Sequence, residues 1–193
     1  MRFLYGLLIV SVLFCNVELM AAPIRYTLDT GSSRIEFDAK STLHGIHGKA
    51  GAISPASVVY DEDLSDAALS SDLEVSVASL STENGRRDKA MKQMFDINKL
   101  PAIRWQARSI SCSEWKDNQR SCFEQGALSI HGITKDIRVP LRLIHESKSL
   151  RSVGEFPIRL SDFNLKPPSV FGMIKVADDM KVIFDLVWVS GNE

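Results

Sequence analysis

The feature that most constrains how this sequence folds is a period of two in its hydrophobic residues. Apolar and polar residues alternate in short segments at residues 35–39, 73–77, 103–107, 128–130, 137–143 and 156–160. Successive side chains of a β-strand point to opposite faces, so each segment predicts a half-buried strand. Polar clusters such as ENGR, KDNQ and HESKS separate the segments and supply turn-forming residues. The chain is therefore predicted to be all-β.

Two segments depart from this alternation. Residues 182–189, VIFDLVWV, are apolar on both faces, which predicts a strand that is covered on each side. In residues 84–96 the apolar residues recur at helical spacing with charged residues between them. We expect one short helix there, with Asn84 as its N-cap.

Many strands that each present one apolar row leave two architectures, a sandwich or a closed barrel. The apolar rows carry almost no charge, so the enclosed space is predicted to be apolar in either case. A barrel of about eight strands is wide enough to hold one small ligand, whereas a sandwich fills its core with side chains. The choice between the two decides whether the protein has a binding cavity.

The N-terminal segment has the layout of a secretory signal peptide. Residues 1–22 have a basic residue at Arg2, continue through an apolar run and end in the small residues Ala21 and Ala22. We expect cleavage there, which leaves one domain at residues 23–193 and a periplasmic or secreted location. The alternatives are an uncleaved membrane anchor, which Glu18 interrupts before the roughly 20 apolar residues of a span, and a lipoprotein acylated at Cys15.

Removal of the signal segment leaves two cysteines, Cys112 and Cys122. The segment between them, SEWKDNQRS, is polar and turn-forming, and strand-like runs flank it. Disulfides persist outside the cytosol, so we predict a bridge that staples the end of a hairpin. The alternative is a pair of free thiols; a redox site is less favoured because the sequence has no Cys-x-x-Cys pair.

The charge balance limits the classes of partner. The chain has 23 Lys and Arg against 24 Asp and Glu, a net charge of −1. Binding to nucleic acid and docking on an anionic membrane both rely on a basic surface. The composition therefore argues against a nucleic-acid partner and against membrane docking by charge.

The metal-ligand candidates are His44 and His47, in TLHGIHGKAG. A zinc site needs three or four converging ligands, and two histidines on a predicted glycine-rich loop supply half of one. His131 and His145 lie elsewhere, in a polar row and in a turn cluster. The sequence also has no Gly-x-Ser-x-Gly elbow and no phosphate-binding glycine loop. We predict neither a metal site nor an enzyme, and a metal-dependent enzyme built on His44 and His47 is the weaker alternative.

The densest charged cluster near apolar residues is Arg86, Arg87 and Asp88, at the start of the predicted helix. One interpretation makes an arginine a contact for a ligand head group at a cavity mouth. The other, which we favour, is structural. In it Asp88 lies at the positive end of the helix dipole, and an arginine such as Arg87 binds a neighbouring carboxylate or carbonyl.

Three stretches carry a family resemblance: the opening of the domain, the segment around the predicted helix, and the run GALSIHGITKDIRV. They contain, in order, Tyr26, Leu28, Asp29, Ser33 and Phe37; residues 79–82 with Arg87, Asp88, Met91, Phe95, Asp96, Leu100, Pro101, Ile103 and Trp105; and Gly126, Leu128, Ile130, Gly132 and Thr134. In this order and spacing the residues resemble the YceI-like family of bacterial secreted and periplasmic proteins. The resemblance covers nearly all of residues 23–193.

The resemblance implies an antiparallel, lipocalin-like β-barrel whose apolar cavity holds a polyisoprenoid lipid, such as a quinone or another prenyl lipid, and needs no cofactor. The candidate lining residues are those on the inward rows of the predicted strands and on the apolar side of the helix. They are Phe37, Val75, Val77, Met91, Met94, Phe95, Ile103, Trp105, Leu128, Ile130, Val139, Leu141, Phe156, Ile158, Phe184 and Leu186.

The leading hypothesis is therefore a lipid carrier or sequestering protein and not an enzyme. The main alternative is a secreted β-protein with a filled core and a stress-related or interaction role. The sequence leaves open which lipid is bound, whether the protein contacts membranes transiently, and whether it forms a homodimer.

Overall fold

The computed structural model describes residues 24–60, 66–167, 169–170 and 174–191, so the predicted signal segment at residues 1–22 lies outside the described part. Within these ranges the chain forms twelve β-strands, one α-helix and two 3₁₀ turns. The elements are β1 (Ile24–Leu28), β2 (Arg34–Ser41), β3 (Gly45–Ala50), β4 (Ser57–Tyr60), β5 (Asp66–Ser76), a 3₁₀ turn (Val77–Ser79), β6 (Leu80–Ser81), α1 (Gly85–Met94), β7 (Ala102–Cys112), β8 (Gln119–Ile130), β9 (Ile133–Glu146), β10 (Ser149–Arg159), a second 3₁₀ turn (Leu160–Phe163), β11 (Ser169–Val170) and β12 (Ile174–Ser190).

The strands form one antiparallel sheet that curls into a nearly closed barrel. Neighbouring strands follow the order β5–β7–β8–β9–β10–β12–β2–β3–β6. The two edges of this sheet meet where the chain after β3 turns back onto β5. There Ile53 bridges to Val75, and the Ser54 amide donates to the Glu74 carbonyl at 2.8 Å. The structure confirms the predicted all-β barrel, because a sandwich would need two separate sheets.

β12 is the longest strand and forms the spine of the barrel. It pairs with β10 on one side and with β2 on the other, until β1 replaces β2 beside Trp188. Its inner face carries alternate apolar side chains, including Val182 and Leu186. Its outer face is less covered than the sequence predicts, because Val189 is 39% exposed. The expectation that both faces are covered is wrong at this end of the strand.

The predicted helix is present as α1, and it begins where the sequence indicates. The side chain of Asn84 accepts a hydrogen bond from the Arg87 amide at 3.1 Å, so Asn84 is the N-cap. Met91 and Phe95 are buried against the barrel core. No helix in the described part of the chain is long and apolar enough to cross a membrane.

The segment TLHGIHGKAG forms a β-hairpin and not the glycine-rich loop that we expected. β3 pairs antiparallel with β2, and His47 lies opposite Asp38. Period two is present in β3, because Ile46 and Gly48 are buried while His47 and Lys49 are exposed. A glycine on the inner row hid this pattern in the sequence.

Candidate functional site

The interior of the barrel contains two chambers that share one wall. The first has a cavity volume of about 160 Å³ and the second about 120 Å³. Met180 lines the first chamber and Trp188 the second, and these residues are about 26 Å apart along β12. The shared wall consists of Ile35, Val75, Ile103, Leu128, Phe156 and Val182. The two chambers therefore lie next to each other along the barrel, and we refer to them together as the tunnel.

The tunnel is narrow for its length. A cavity of about 150 Å³ in another protein accommodates one benzene molecule, and each chamber is of this order. A bulky ring system does not fit such a space, whereas a linear hydrocarbon chain has a cross-section that suits both chambers. The interior is therefore suited to a slender, flexible ligand and is not a filled core.

The first chamber is almost entirely apolar. Helix α1 supplies Met91, Met94 and Phe95 to its wall, and the barrel adds Leu160 and Leu165. Leu160 and Leu165 are buried at 3% and 1% exposure, so they form a rigid part of the wall. Methionine side chains adapt to irregular shapes. This chamber suits a hydrocarbon tail.

Two charged residues beside the first chamber, Arg87 and Asp88, are linked through Thr82, whose Oγ1 donates to Asp88 Oδ1 at 2.5 Å. The Arg87 guanidinium donates from Nε to Thr82 Oγ1 at 2.7 Å and from its terminal nitrogen to the Thr82 carbonyl at 2.9 Å. Asp88 in turn accepts from Ser81 Oγ at 2.9 Å and from the Thr82 amide at 2.7 Å. Burial alone would raise the pKa of Asp88, but these hydrogen bonds outweigh it and lower the pKa. The geometry is that of a structural clamp between α1 and β6.

Three aromatic side chains of the tunnel wall lie over glycines of neighbouring strands. A Cβ placed on Gly48 would overlap the Phe37 ring. Equivalent Cβ atoms on Gly126 and Gly154 would be 2.6 Å from the rings of Trp105 and Phe184. A glycine thus lets each ring lie close against the sheet, and the large side chains leave the centre of the tunnel open.

The second chamber differs from the first because one side of it is polar. Trp105 Nε1 donates to Glu124 Oε1 at 3.4 Å, and Trp188 Nε1 donates to Ser152 Oγ at 3.0 Å. Ser71 and Ser152 are buried at 7% and 6% exposure and line the chamber with both indoles. We call Ser71, Glu124 and Ser152 the polar cluster. It places a carboxyl and two hydroxyls inside an otherwise apolar tunnel.

Glu124 is the ionisable group of the polar cluster. It is partly accessible, and the accessible surface faces the enclosed chamber. Burial disfavours the charged carboxylate and raises the pKa of Glu124 from 4.5 to about 7, while the weaker hydrogen bond from Trp105 acts in the opposite direction. Near neutral pH both forms are populated. The neutral form donates one hydrogen bond, and the carboxylate only accepts.

The sequence profile of the YceI-like domain matches residues 26–188. The chain belongs to the YceI-like family. No curated protein matches the chain.

Solved structures of related proteins share the fold of this YceI-like chain. BcnA of Burkholderia cenocepacia matches with a TM-score of 0.69 at 21% identity, over 83% of this chain and 98% of that one. A polyisoprenoid-binding domain of Saccharophagus degradans, implicated in plant cell wall breakdown, matches with a TM-score of 0.67 at 13% identity, over 87% and 99%. The Campylobacter jejuni YceI protein matches with a TM-score of 0.56 at 22% identity, over 76% and 85%. At these identities the likeness establishes the fold.

The structure brings most of the predicted lining residues of this YceI-like chain to the tunnel. All but two of the sixteen line at least one of the two chambers. Leu141 instead lines a smaller cavity of about 40 Å³ next to the polar cluster. Val77 is in a 3₁₀ turn after β5 and is buried in the core, outside both chambers. The strand predicted at residues 73–77 ends one residue earlier than expected, which takes Val77 off the inward row.

Sequence reasoning missed the polar residues of the tunnel. The expectation that the inward rows carry almost no charge needs correction at Glu124, which lies on the same row as Leu128 and Ile130. The signal was available, because Glu124 is an even number of residues from both. Sequence reasoning also missed Ser71 and Ser152, since a serine on an inward row is hard to distinguish from a strand end.

The histidines do not converge on one another. His47 Nδ1 lies 2.8 Å from Asp38 Oδ1 on the exposed side of the hairpin, and His44 is exposed in the turn before β3. His131 Nδ1 is 3.3 Å from the Phe163 carbonyl, and His145 lies edge-on to Trp115. Among the described residues, no three His, Cys, Asp or Glu side chains form a group that could hold a metal ion.

The predicted disulfide is confirmed. Cys112 and Cys122 are bonded, and they lie directly opposite each other in the register of β7 and β8. Cys122 is 2% exposed and is two residues from Glu124 on the inward row. The bridge therefore holds together the two strands that supply Trp105 and Glu124.

Proposed function

We propose that this YceI-like protein binds one polyisoprenoid lipid, a quinone or another prenyl lipid, with its chain inside the barrel. The observation that carries the proposal is the pair of adjacent, narrow and largely apolar chambers inside the barrel. The Saccharophagus degradans domain of the same fold is a polyisoprenoid-binding domain. Its shared fold supports the same class of ligand here.

The energetics favour a carrier or a sequestering protein. Burying an isoprene unit is worth up to about 4 kcal/mol relative to water, at roughly 0.8 kcal/mol for each methylene. A lipid that leaves a bilayer gains little of this, because its tail was already in an apolar phase. The free energy of transfer between membrane and protein is then close to zero. The ligand is selected by the shape of the tunnel and by its polar contacts. We propose transport or storage of the lipid and assign no reaction.

We also propose a periplasmic or secreted location. Two observations support it: the signal-like pattern of residues 1–22 and the bonded cysteine pair. Disulfides of this kind persist outside the reducing cytosol. Detection of the cleaved chain in the periplasmic fraction tests this part independently of lipid binding, and an intact N-terminus in the cytosolic fraction contradicts it.

Native mass spectrometry of the protein purified from its own host tests lipid binding. We expect a mass increase that organic extraction removes and that identifies as an isoprenoid. Val182→Trp places a large ring at the wall shared by both chambers and is expected to abolish the adduct. Val189→Trp is the matched control, because it adds the same ring to the exposed face of the same strand.

Two results contradict the proposal. One is the absence of an adduct on the wild-type protein purified from its host. The other is equal retention in the Val182→Trp and Val189→Trp variants, since a lipid outside the tunnel would not respond to a blocked lumen. Circular dichroism spectra of both variants establish that the barrel is intact.

A further inference from the structure

The polar cluster has hydrogen-bonding capacity that the protein does not use. Glu124 Oε1 accepts from Trp105, but Oε2 accepts no hydrogen bond from the residues that the structure describes. Ser71 Oγ makes none with them either, and Ser152 Oγ accepts from Trp188 without donating to any of them. The tunnel therefore contains at least two free donors and one free acceptor.

Unused polar groups inside an apolar wall are costly. A buried hydroxyl or carboxyl without a partner costs free energy, so nearly all such groups in folded proteins are satisfied by protein, water or ligand. Replacing Glu124 by an apolar residue of similar size would avoid the cost. The cluster is therefore better explained by a ligand than by stability.

Among the described residues, the first chamber offers no comparable site. Its polar lining residues are Glu36, Thr82 and Arg87. Thr82 and Arg87 hydrogen-bond to each other, and Glu36 lies opposite the exposed Lys49 in the register of β2 and β3. A ligand with one polar end and one apolar chain thus meets one polar and one apolar chamber. The geometry fixes the direction in which such a ligand lies.

We propose that the polar cluster is a head-group site for an isoprenoid whose head is small, uncharged and oxygen-bearing, such as an alcohol, a phenol or a quinone. This inference rests on the proposed function and specifies its ligand. The head oxygen hydrogen-bonds to Glu124 and to the hydroxyls of Ser71 and Ser152. The tail passes the wall shared by the chambers and fills the first chamber.

The charges around the cluster disfavour an anionic head. Among the described residues that line the second chamber, Glu124 is the ionisable one, and no lysine or arginine is among them. Arg120 precedes Glu124 on β8, but its guanidinium lies over the Trp115 ring, with Cζ 4.5 Å from the centroid. A phosphate at the cluster would face a carboxyl with no cation in the chamber wall. Isoprenoid phosphates are therefore expected to be discriminated against.

Three ligands with one tail test this inference: farnesol, farnesene and farnesyl phosphate. Their affinities are measured by displacement of N-phenylnaphthylamine from lipid-free protein. For each protein, the farnesol preference is the affinity for farnesol divided by the affinity for farnesene. The decisive quantity is the quotient of this preference in the wild type and in Glu124→Leu, because the different solubilities of the two ligands in water cancel in it. We expect a quotient of about ten, the worth of one good hydrogen bond, and weaker binding of farnesyl phosphate than of farnesol to the wild type.

Ser71→Ala provides a second variant that changes the cluster with little change in volume, and we expect it to lower the farnesol preference about threefold. Ser129→Ala is its control, because Ser129 bonds to Thr134 outside the chambers. A quotient near one in both cluster variants, with all proteins still binding farnesene, overturns the head-group site and leaves the proposed function standing. Tightest binding of farnesyl phosphate also overturns it. Failure of the wild type to bind any of the three contradicts the proposed function itself.

Discussion

At the scale of single residues, Glu124 makes the stability of the lipid-free protein depend on pH. Its folded-state pKa of about 7 is above the ordinary value of 4.5. A group whose pKa is raised by folding contributes stability below its unfolded pKa and loses it as the pH rises through the folded pKa. Between about pH 4.5 and pH 8 the wild type should lose up to about 3 kcal/mol of unfolding free energy through this group.

Urea denaturation of the wild type and Glu124→Gln across this range measures the effect. As the pH rises, the unfolding free energy of the wild type is expected to fall relative to that of Glu124→Gln. Glu114→Gln is the control, because it makes the same substitution at an exposed residue. A difference for Glu124→Gln that does not change with pH would mean that Glu124 is solvated like a surface residue.

Glu124 also shows where sequence reasoning at this scale stops. Parity alone places it on the inner row of β8, in step with Leu128 and Ile130. A carboxyl on an inward row is usually a sign that the strand has ended, because burial of a charge is costly. Only the structure shows that the row continues to Cys122 and that Trp105 reaches Glu124 across Gly126. The contact depends on a neighbouring strand, which the local pattern does not contain.

At the scale of the elements, the close packing of rings on glycines keeps the tunnel open. Gly48→Ala would push the Phe37 ring, which overlaps the position of the new Cβ, towards the first chamber. We expect weaker isoprenoid retention and a loss of about 1–3 kcal/mol in unfolding free energy from overpacking. Denaturant unfolding and lipid retention on the same samples measure both.

Gly45→Ala is the matched control, because it lies on the same strand and nothing is within 4 Å of its added Cβ. It should change the unfolding free energy by less than about 0.5 kcal/mol. Phe37→Leu added to Gly48→Ala should restore retention by removing the ring that clashes. Equal effects of the two alanines would show that ring placement does not control the lumen.

The sequence was informative for elements whose signals are local. Asn84 marks the start of α1 because its side chain caps the helix directly. The disulfide was predictable because Cys112 and Cys122 flank a short hairpin. The strand β3 was not predictable, because Gly48 takes the place of an apolar side chain on its inner row. The Phe37 ring of the neighbouring strand fills this space, which the local sequence does not show.

At the scale of the whole molecule, closure of the barrel depends on pairings between distant parts of the chain. Ile53 bridges to Val75, and β1, the first strand of the described chain, pairs with the end of β12. Such pairings have no local signature, so the alternating pattern left a barrel and a sandwich equally open. Closure creates the tunnel, and the resemblance to a family of known fold was needed to predict it.

The volume of the two chambers sets a limit on how much of a tail the protein holds. Each chamber is about the size of a site for one benzene molecule, so the lumen takes about two to three isoprene units. Affinity in a series of isoprenoid alcohols of increasing length should rise up to about farnesol and then stay level, because further units remain outside. Ile103→Trp, at the wall shared by both chambers, should move this plateau to a shorter alcohol, while Arg104→Trp on the exposed face of β7 should leave it in place.

The measurement is the transfer of each alcohol from vesicles to the protein. Because every tail is then compared with a bilayer, the general hydrophobic gain of longer tails is removed. An affinity that rises without a plateau, or a plateau that is unchanged in Ile103→Trp, would show that the tail binds outside the tunnel.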